Sequence, residues 1–233
     1  MVDKKLKIAV MFGGRSGEHA VSLMSARFVL SNLSLDKYEV TQIGITREGD
    51  WYIGSDEQPD VLAAMLNEDL SGLKPALILP LPAQNGVFAY DQNGLSLLSE
   101  VNVVFPVLHG TFGEDGTLQG LLEMADLAYV GAGVTGSAVG MDKGVFFNVM
   151  SANGIPVVDT ILVLRSDLEQ DSATVLDRVE AEIGTYPMFV KPANLGSSVG
   201  ISKVHNRSDL IEGLFEAAVY DRRLVVQRGL NVR

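Results

Sequence analysis

Residues 7–22 read KIAVMFGGRSGEHAVS: five apolar residues, Ile8 to Phe12, run into Gly13-Gly14 and then into a stretch with helical spacing. The apolar run is shorter than the roughly 7–15 residues of a secretory core, so Lys7–Phe12 reads as a first β-strand. Beyond the glycines, Val21, Met24 and Phe28 recur after three and then four residues, which predicts a helix over Ala20–Leu33. Outward from this strand–turn–helix the rhythm continues. Strands are expected at Tyr38–Ile45 and Val101–Leu108, a helix at Thr117–Ala125 and a short strand at residues 128–131. VNVVFPVL (101–108) is nearly all apolar, as a strand buried on both faces requires. The pattern implies an α/β fold with a largely parallel sheet and right-handed crossovers.

The second half changes character. One helix is expected over Gly136–Asn153, then strand Thr160–Leu164, helix Ala173–Ile183, strand Met188–Lys191, a glycine loop, strand Ile201–Val204, helix Ser208–Ala218 and strand Arg223–Gln227. Two strands joined by a glycine loop without a helix imply an antiparallel hairpin and an α+β arrangement. Small residues cluster at 134–140, which divides the chain into domains 1–135 and 136–233. Residues 55–95 show no readable period.

Composition narrows the function. The 233 residues hold 47% hydrophobic and 20% charged residues, enough for a folded core. The absence of cysteine excludes disulfides and thiolate chemistry, and a net charge of -11 argues against a broad nucleic-acid surface. The uncharged stretches 127–141 and 75–90 are broken by glycines and prolines and fall short of a spanning helix. The expected location is the cytoplasm.

Three glycine loops concentrate the chemistry. In GGRSGEHAVS (13–22) a helix N-terminus supplies positive potential, yet Glu18 would compete with a phosphate there. Glu18 reads either as acceptor for a ligand ammonium or as a carboxylate placed favourably in the first helical turn. HGTFGEDGTLQG (109–120) follows a buried strand at the end where ligands collect in α/β sheets. His109 there is a binding candidate or a structural histidine, and Glu114-Asp115 reads as a cap for the next helix. VKPANLGSSVG (190–200) sets Lys191 beside backbone and hydroxyl donors suited to phosphate.

Competing motifs fail. No Gly-Lys pair exists for a Walker A loop. GSSVG (196–200) matches G-x-S-x-G, but a strand-like ISKV follows, and no acid separates Ser198 from His205. The three histidines show no metal-ligand spacing, and no metal residue is assigned.

Taken together, GGRSGEHAVS (13–22), HGTFGEDGTLQG (109–120), MDKGVFFNVM (141–150), FVKPANLGSSVG (189–200) and LVVQRGL (224–230) resemble the D-alanine–D-alanine ligases of bacterial cell-wall synthesis, in the ATP-grasp superfamily. The resemblance implies a preATP-grasp domain with a Rossmann-like parallel sheet, then an α+β ATP-grasp lobe whose second lobe has no counterpart here. It implies ATP-dependent joining of two D-alanines through an acyl phosphate, with Mg²⁺, for peptidoglycan synthesis, in a homodimer. Glu18, hydrogen-bonded with Ser197, would hold the first D-alanine, near Ser22 and His109; Glu18 and Ser197 are the catalytic candidates. Lys143, Lys191, Ser197 and Ser198 would hold ATP phosphates, and Gln227, Arg228 and Leu230 the adenine.

Two departures stand out. Gln227 occupies a position where the family usually has Glu as acceptor for the adenine amino group; a Gln carbonyl still accepts, with weaker discrimination expected. The chain stops at Arg233, so the family's metal ligands and covering loop have no counterpart. A ligase using D-lactate or D-serine, or a non-catalytic D-alanine or nucleotide binder, remains the alternative.

Overall fold

A computed structural model describes residues 4–91 and 94–231. The chain divides into two compact units, Met1–Ser137 and Ala138–Arg233.

The first unit runs β1 (Leu6–Gly13), α1 (His19–Asn32), β2 (Tyr38–Ile45), β3 (Trp51–Ile53), α2 (Val61–Leu66), β4 (Lys74–Ile78), β5 (Gly86–Asp91), β6 (Gly94–Glu100), β7 (Val103–Pro106), α3 (Thr117–Met124), β8 (Ala128–Tyr129) and the start of α4 (Val134–Met141). Among the described residues its strands are ordered β6-β5-β4-β3-β2-β1-β7-β8. Only β2-β1-β7-β8 is parallel; β3 to β6 extend the sheet as antiparallel pairs. The largely parallel sheet expected is therefore half antiparallel, because each strand from β2 to β6 pairs antiparallel with its neighbour in sequence, with α2 lying between β3 and β4.

Strand β1 is buried on both sides. Ile8, Val10 and Phe12 pack under α1 and α2 with Leu23, Ala26 and Val61, whereas Ala9 and Met11 face Leu108, Leu118 and Leu122 of the α3 side. The period-2 alternation of a strand thus feeds two cores from one apolar run.

In the second unit come α5 (Lys143–Ala152), β9 (Thr160–Leu164), α6 (Arg165–Gln170), α7 (Ser172–Ile183), β10 (Met188–Pro192), β11 (Ser202–Val204), α8 (Arg207–Tyr220) and β12 (Arg223–Arg228). The sheet β11-β10-β12-β9 is antiparallel throughout, so the expected hairpin at the glycine loop is present. The single helix expected over 136–153 is two helices. Asp142 adopts an extended conformation, accepts from Val145 N at 2.9 Å as N-cap of α5, and pairs with Arg223 Nε at 2.9 Å. A cap and an ion pair at one carboxylate offset the broken helical hydrogen bonds.

The residues alternate here too. Val163, Met188, Val190, Leu224 and Val226 join the core with α7 and α8. Thr160, Lys191, Val225 and Gln227, out of phase with them, fall on the opposite sheet face. On that face the start of α5 approaches, with Gly144 close to Leu162 and Val225.

Candidate functional site

In the first unit the site forms where the β1–α1 turn meets the end of β7. Gly13 and Gly14 turn the chain with φ of +87° and +99°, a region open to glycine. Gly13 N donates to Ser22 Oγ at 2.8 Å, and that hydroxyl in turn donates to the carbonyl of Val107. Ser22 is fully buried. Its hydroxyl is used on both sides by backbone, so it fastens β1, α1 and the end of β7 together. His19 is likewise buried, its Nδ1 2.9 Å from Gly14 O.

Glu18 is the half-buried N-cap residue of α1 and makes no side-chain cap bond. Its carboxylate lies against Gly110 instead: a Cβ at Gly110 would stand 2.5 Å from Glu18 Oε2. The two glycine loops are therefore in contact, with the Glu18 carboxylate lying in the space beside Gly110. His109 is tied to the same segment. Ser16 Oγ donates to His109 O at 2.8 Å, and Ser25 Oγ lies 3.0 Å from His109 Nε2. Sequence reading missed Ser16 and Ser25.

The acidic pair splits its work. Glu114 Oε2 accepts from Gly110 N at 2.7 Å, fixing the loop rather than capping α3. Asp115 accepts from Phe112 N at 2.8 Å and from Thr117 N at 3.0 Å, which does hold the start of α3. On the α3 side of the loop lies a cavity of about 270 Å³ with an apolar floor that includes Ile45, Trp51, Leu108 and Leu118. Arg15 reaches over Phe112 at its rim, with 5.2 Å from guanidinium carbon to ring centroid.

In the second unit the face opposite α7 and α8 carries the cations. Lys191 Nζ donates to Gln227 Oε1 at 2.7 Å, Gln227 Nε2 to Thr160 Oγ1 at 3.0 Å, and Thr160 Oγ1 to Val158 O at 2.8 Å. Gln227 is 4% exposed, so its amide orientation is set by this chain. Burial holds the Lys191 ammonium below the ordinary lysine range, and its hydrogen-bond acceptor on Gln227 carries no charge. Thr160 is a residue that sequence reading passed over. Its only signal was its place in a strand, since the register with Gln227 crosses 67 residues.

Lys143 opens α5 and donates from Nζ to Leu195 O at 2.5 Å, while its backbone N–H donates to Ala193 O at 3.0 Å. It thereby grips the start of the glycine loop. Ser197, Ser198 and Gly200 in that loop have φ of 48°, 61° and 68°, and both serines are exposed. Arg228 is turned to Asp159, at 2.8 Å, and to Ile183 O, at 3.1 Å, while Leu230 is 60% exposed. Among the described residues no group of three His, Cys, Asp or Glu could hold a metal ion, and none of their helices is long and apolar enough to cross a membrane.

A family model described as D-ala D-ala ligase N-terminus matches residues 7–132, and one described as D-ala D-ala ligase C-terminus matches residues 149–233. The D-alanine--D-alanine ligase of Thermoanaerobacter sp. (strain X514) is 44% identical over 230 residues, which is 99% of this chain and 62% of the relative. That of Chloroherpeton thalassium is 42% identical over 235 residues, 98% of this chain and 63% of the relative. Among solved structures, the VanG D-Ala:D-Ser ligase from Enterococcus faecalis superposes with TM-score 0.84 at 36% identity, covering 98% of this chain and 64% of that one. The D-alanine-D-alanine ligase from Coxiella burnetii follows the same path with TM-score 0.79 at 35% identity, over 98% and 65%. The chain thus spans somewhat less than two thirds of the length of these relatives. Both of its halves carry the family's sequence in the family's order, and the chain belongs to the D-alanine–D-alanine ligase family.

Proposed function

We propose that this chain carries the first D-alanine site and part of the ATP site of an ATP-dependent ligase that makes D-alanyl-D-alanine for peptidoglycan in the cytoplasm. The observation that carries this is its 44% identity to a D-alanine--D-alanine ligase over 99% of its length. In this reading residues 1–135 are the substrate-binding preATP-grasp domain, 136–233 an ATP-grasp lobe, and the working protein is a homodimer. ATP supplies the phosphoryl group that converts one D-alanine carboxylate to an acyl phosphate, which the amine of the second attacks.

The residues present fit these ligands. Glu18 holds the ammonium of D-alanine beside His109, while Ser22 supports from within, and Ser197 is the other catalytic candidate. Lys191, a part-buried cation hydrogen-bonded to a neutral amide, suits a phosphate. Lys143, Ser197 and Ser198 shape the phosphate loop, and the Gln227–Leu230 segment receives adenine, Arg228 and Leu230 through their backbone. Mg²⁺ belongs to the reaction, but the described residues supply no cluster for it.

Calorimetry with D-alanine tests the substrate assignment. Glu18→Gln is expected to weaken binding by about tenfold to a hundredfold, the worth of a charge-assisted hydrogen bond. Equal affinity of variant and parent would remove Glu18 from the site. D-Serine as second substrate is the other reading, because the structure with TM-score 0.84 is named a D-Ala:D-Ser ligase.

A further inference from the structure

We infer that Ser25 is a positioning residue for His109, holding its imidazole in one orientation and one tautomer beside the D-alanine. The inference rests on the D-alanine reading of this site. Glu18, the N-cap of α1, and Ser22 and Ser25 within it follow at spacings of four and three, which sets them along one side of the helix. That side faces the end of β7: Ser22 Oγ bonds to the Val107 carbonyl and Ser25 Oγ lies 3.0 Å from His109 Nε2.

The backbone of His109 is held from the same segment, by Ser16 Oγ on its carbonyl at 2.8 Å. Main chain and ring are therefore both fastened to the β1–α1 segment that presents Glu18. The ring needs this support. It stands on a loop whose next residue, Gly110, has a φ of +74°, and an unsupported imidazole turns about two side-chain bonds. Whichever way the Ser25–His109 hydrogen bond runs, it fixes which ring nitrogen bears the proton and leaves Nδ1 in a defined donor or acceptor state. In this reading Ser25 acts through His109, to which its hydroxyl is bonded.

Long-range ¹H–¹⁵N spectra of the 233-residue chain test the link directly, with a D-alanine titration on the same samples. In Ser25→Ala the His109 ring signals are expected to move from one tautomer toward an average of two. The His19 signals should stay in place, since its ring is held separately by Gly14 O. D-Alanine affinity should fall about threefold to tenfold, the worth of one hydrogen bond, and Ser25→Thr should restore both readouts. Unchanged His109 signals in Ser25→Ala overturn the inference. Shifted ring signals with unchanged affinity also overturn it, by showing a ring that the substrate does not use. If the parent binds no D-alanine, the substrate reading itself falls and takes the positioning role with it, whereas the ring signals still report the Ser25–His109 bond.

Discussion

Replacing Gly13 with alanine is expected to destabilise the first unit by about 3 kcal/mol. Two costs combine. Gly13 has a φ of +87°, a conformation that costs an L-residue about 1–2 kcal/mol. An alanine Cβ there would also stand 2.2 Å from the carbonyl oxygen of Ile45. That oxygen belongs to β2, is in register with Gly13 and accepts from Gly14 N at 2.8 Å. It cannot retreat without opening the β1–β2 ladder, and overpacking of this kind costs about 1–3 kcal/mol more. Thermal unfolding followed by circular dichroism should show a midpoint lowered by about 6–12 °C. Gly14→Ala is the control. Its φ is +99°, but the nearest atom is Leu108 Cδ2 at 3.2 Å, the end of a flexible side chain, so about 1–2 kcal/mol is expected. A Gly13→Ala midpoint equal to that of the parent would refute the close approach of β1 to Ile45. The proposed D-alanine site should weaken with the fold, since Gly13 N is the donor that holds Ser22.

Lys191→Met should weaken ATP binding by about tenfold to a hundredfold, measured by calorimetry or fluorescent-nucleotide displacement. Methionine keeps most of the stem and removes the ammonium. Lys191 Nζ sits 2.7 Å from the neutral Gln227 carbonyl and 5.8 Å from the Phe189 ring centroid. Neither neutralises the charge, and burial pushes the lysine below its ordinary value. The sign for stability follows. A lysine with a lowered folded-state pKa binds its proton less readily than in the unfolded chain, so it costs stability at neutral pH. That cost is full below the lowered value and is lost as pH rises from there to the ordinary lysine value. Phosphate affinity should fall over the same range, at lower pH than for an exposed lysine, and Lys191→Met should abolish that dependence. Unchanged affinity in the variant would take Lys191 out of the proposed phosphate site.

How much of this was legible beforehand differs from element to element. The helix after the first glycine loop was read from Val21, Met24 and Phe28, and a helix is there. Those three residues are nevertheless 52%, 58% and 72% exposed, while His19, Ser22, Leu23 and Ala26 are buried. Periodicity located the helix but not its buried face, which combines His19 and Ser22 with Leu23 and Ala26. The break at Asp142 was missed as well. An N-capping aspartate between Gly140 and Gly144 is weak evidence until Arg223 is seen across from it. The hairpin of β5 and β6 had a signal that was passed over, the Asn93-Gly94 pair between two alternating runs.

By itself the sequence determined most strands and helices outside residues 46–100, the glycine turns, the cations beside them and membership of a ligase family. Each of these depends on residues a few positions apart, where backbone sterics and side-chain period act. Tertiary structure alone decided what the polar groups do. It placed the Glu18 carboxylate on Gly110, closed Ser22 inside a joint, gave His109 to Ser25 across 84 residues and gave Lys191 to Gln227 across 36. Such partners are chosen by packing, because a buried polar group must find its hydrogen bond wherever the folded chain brings one within reach.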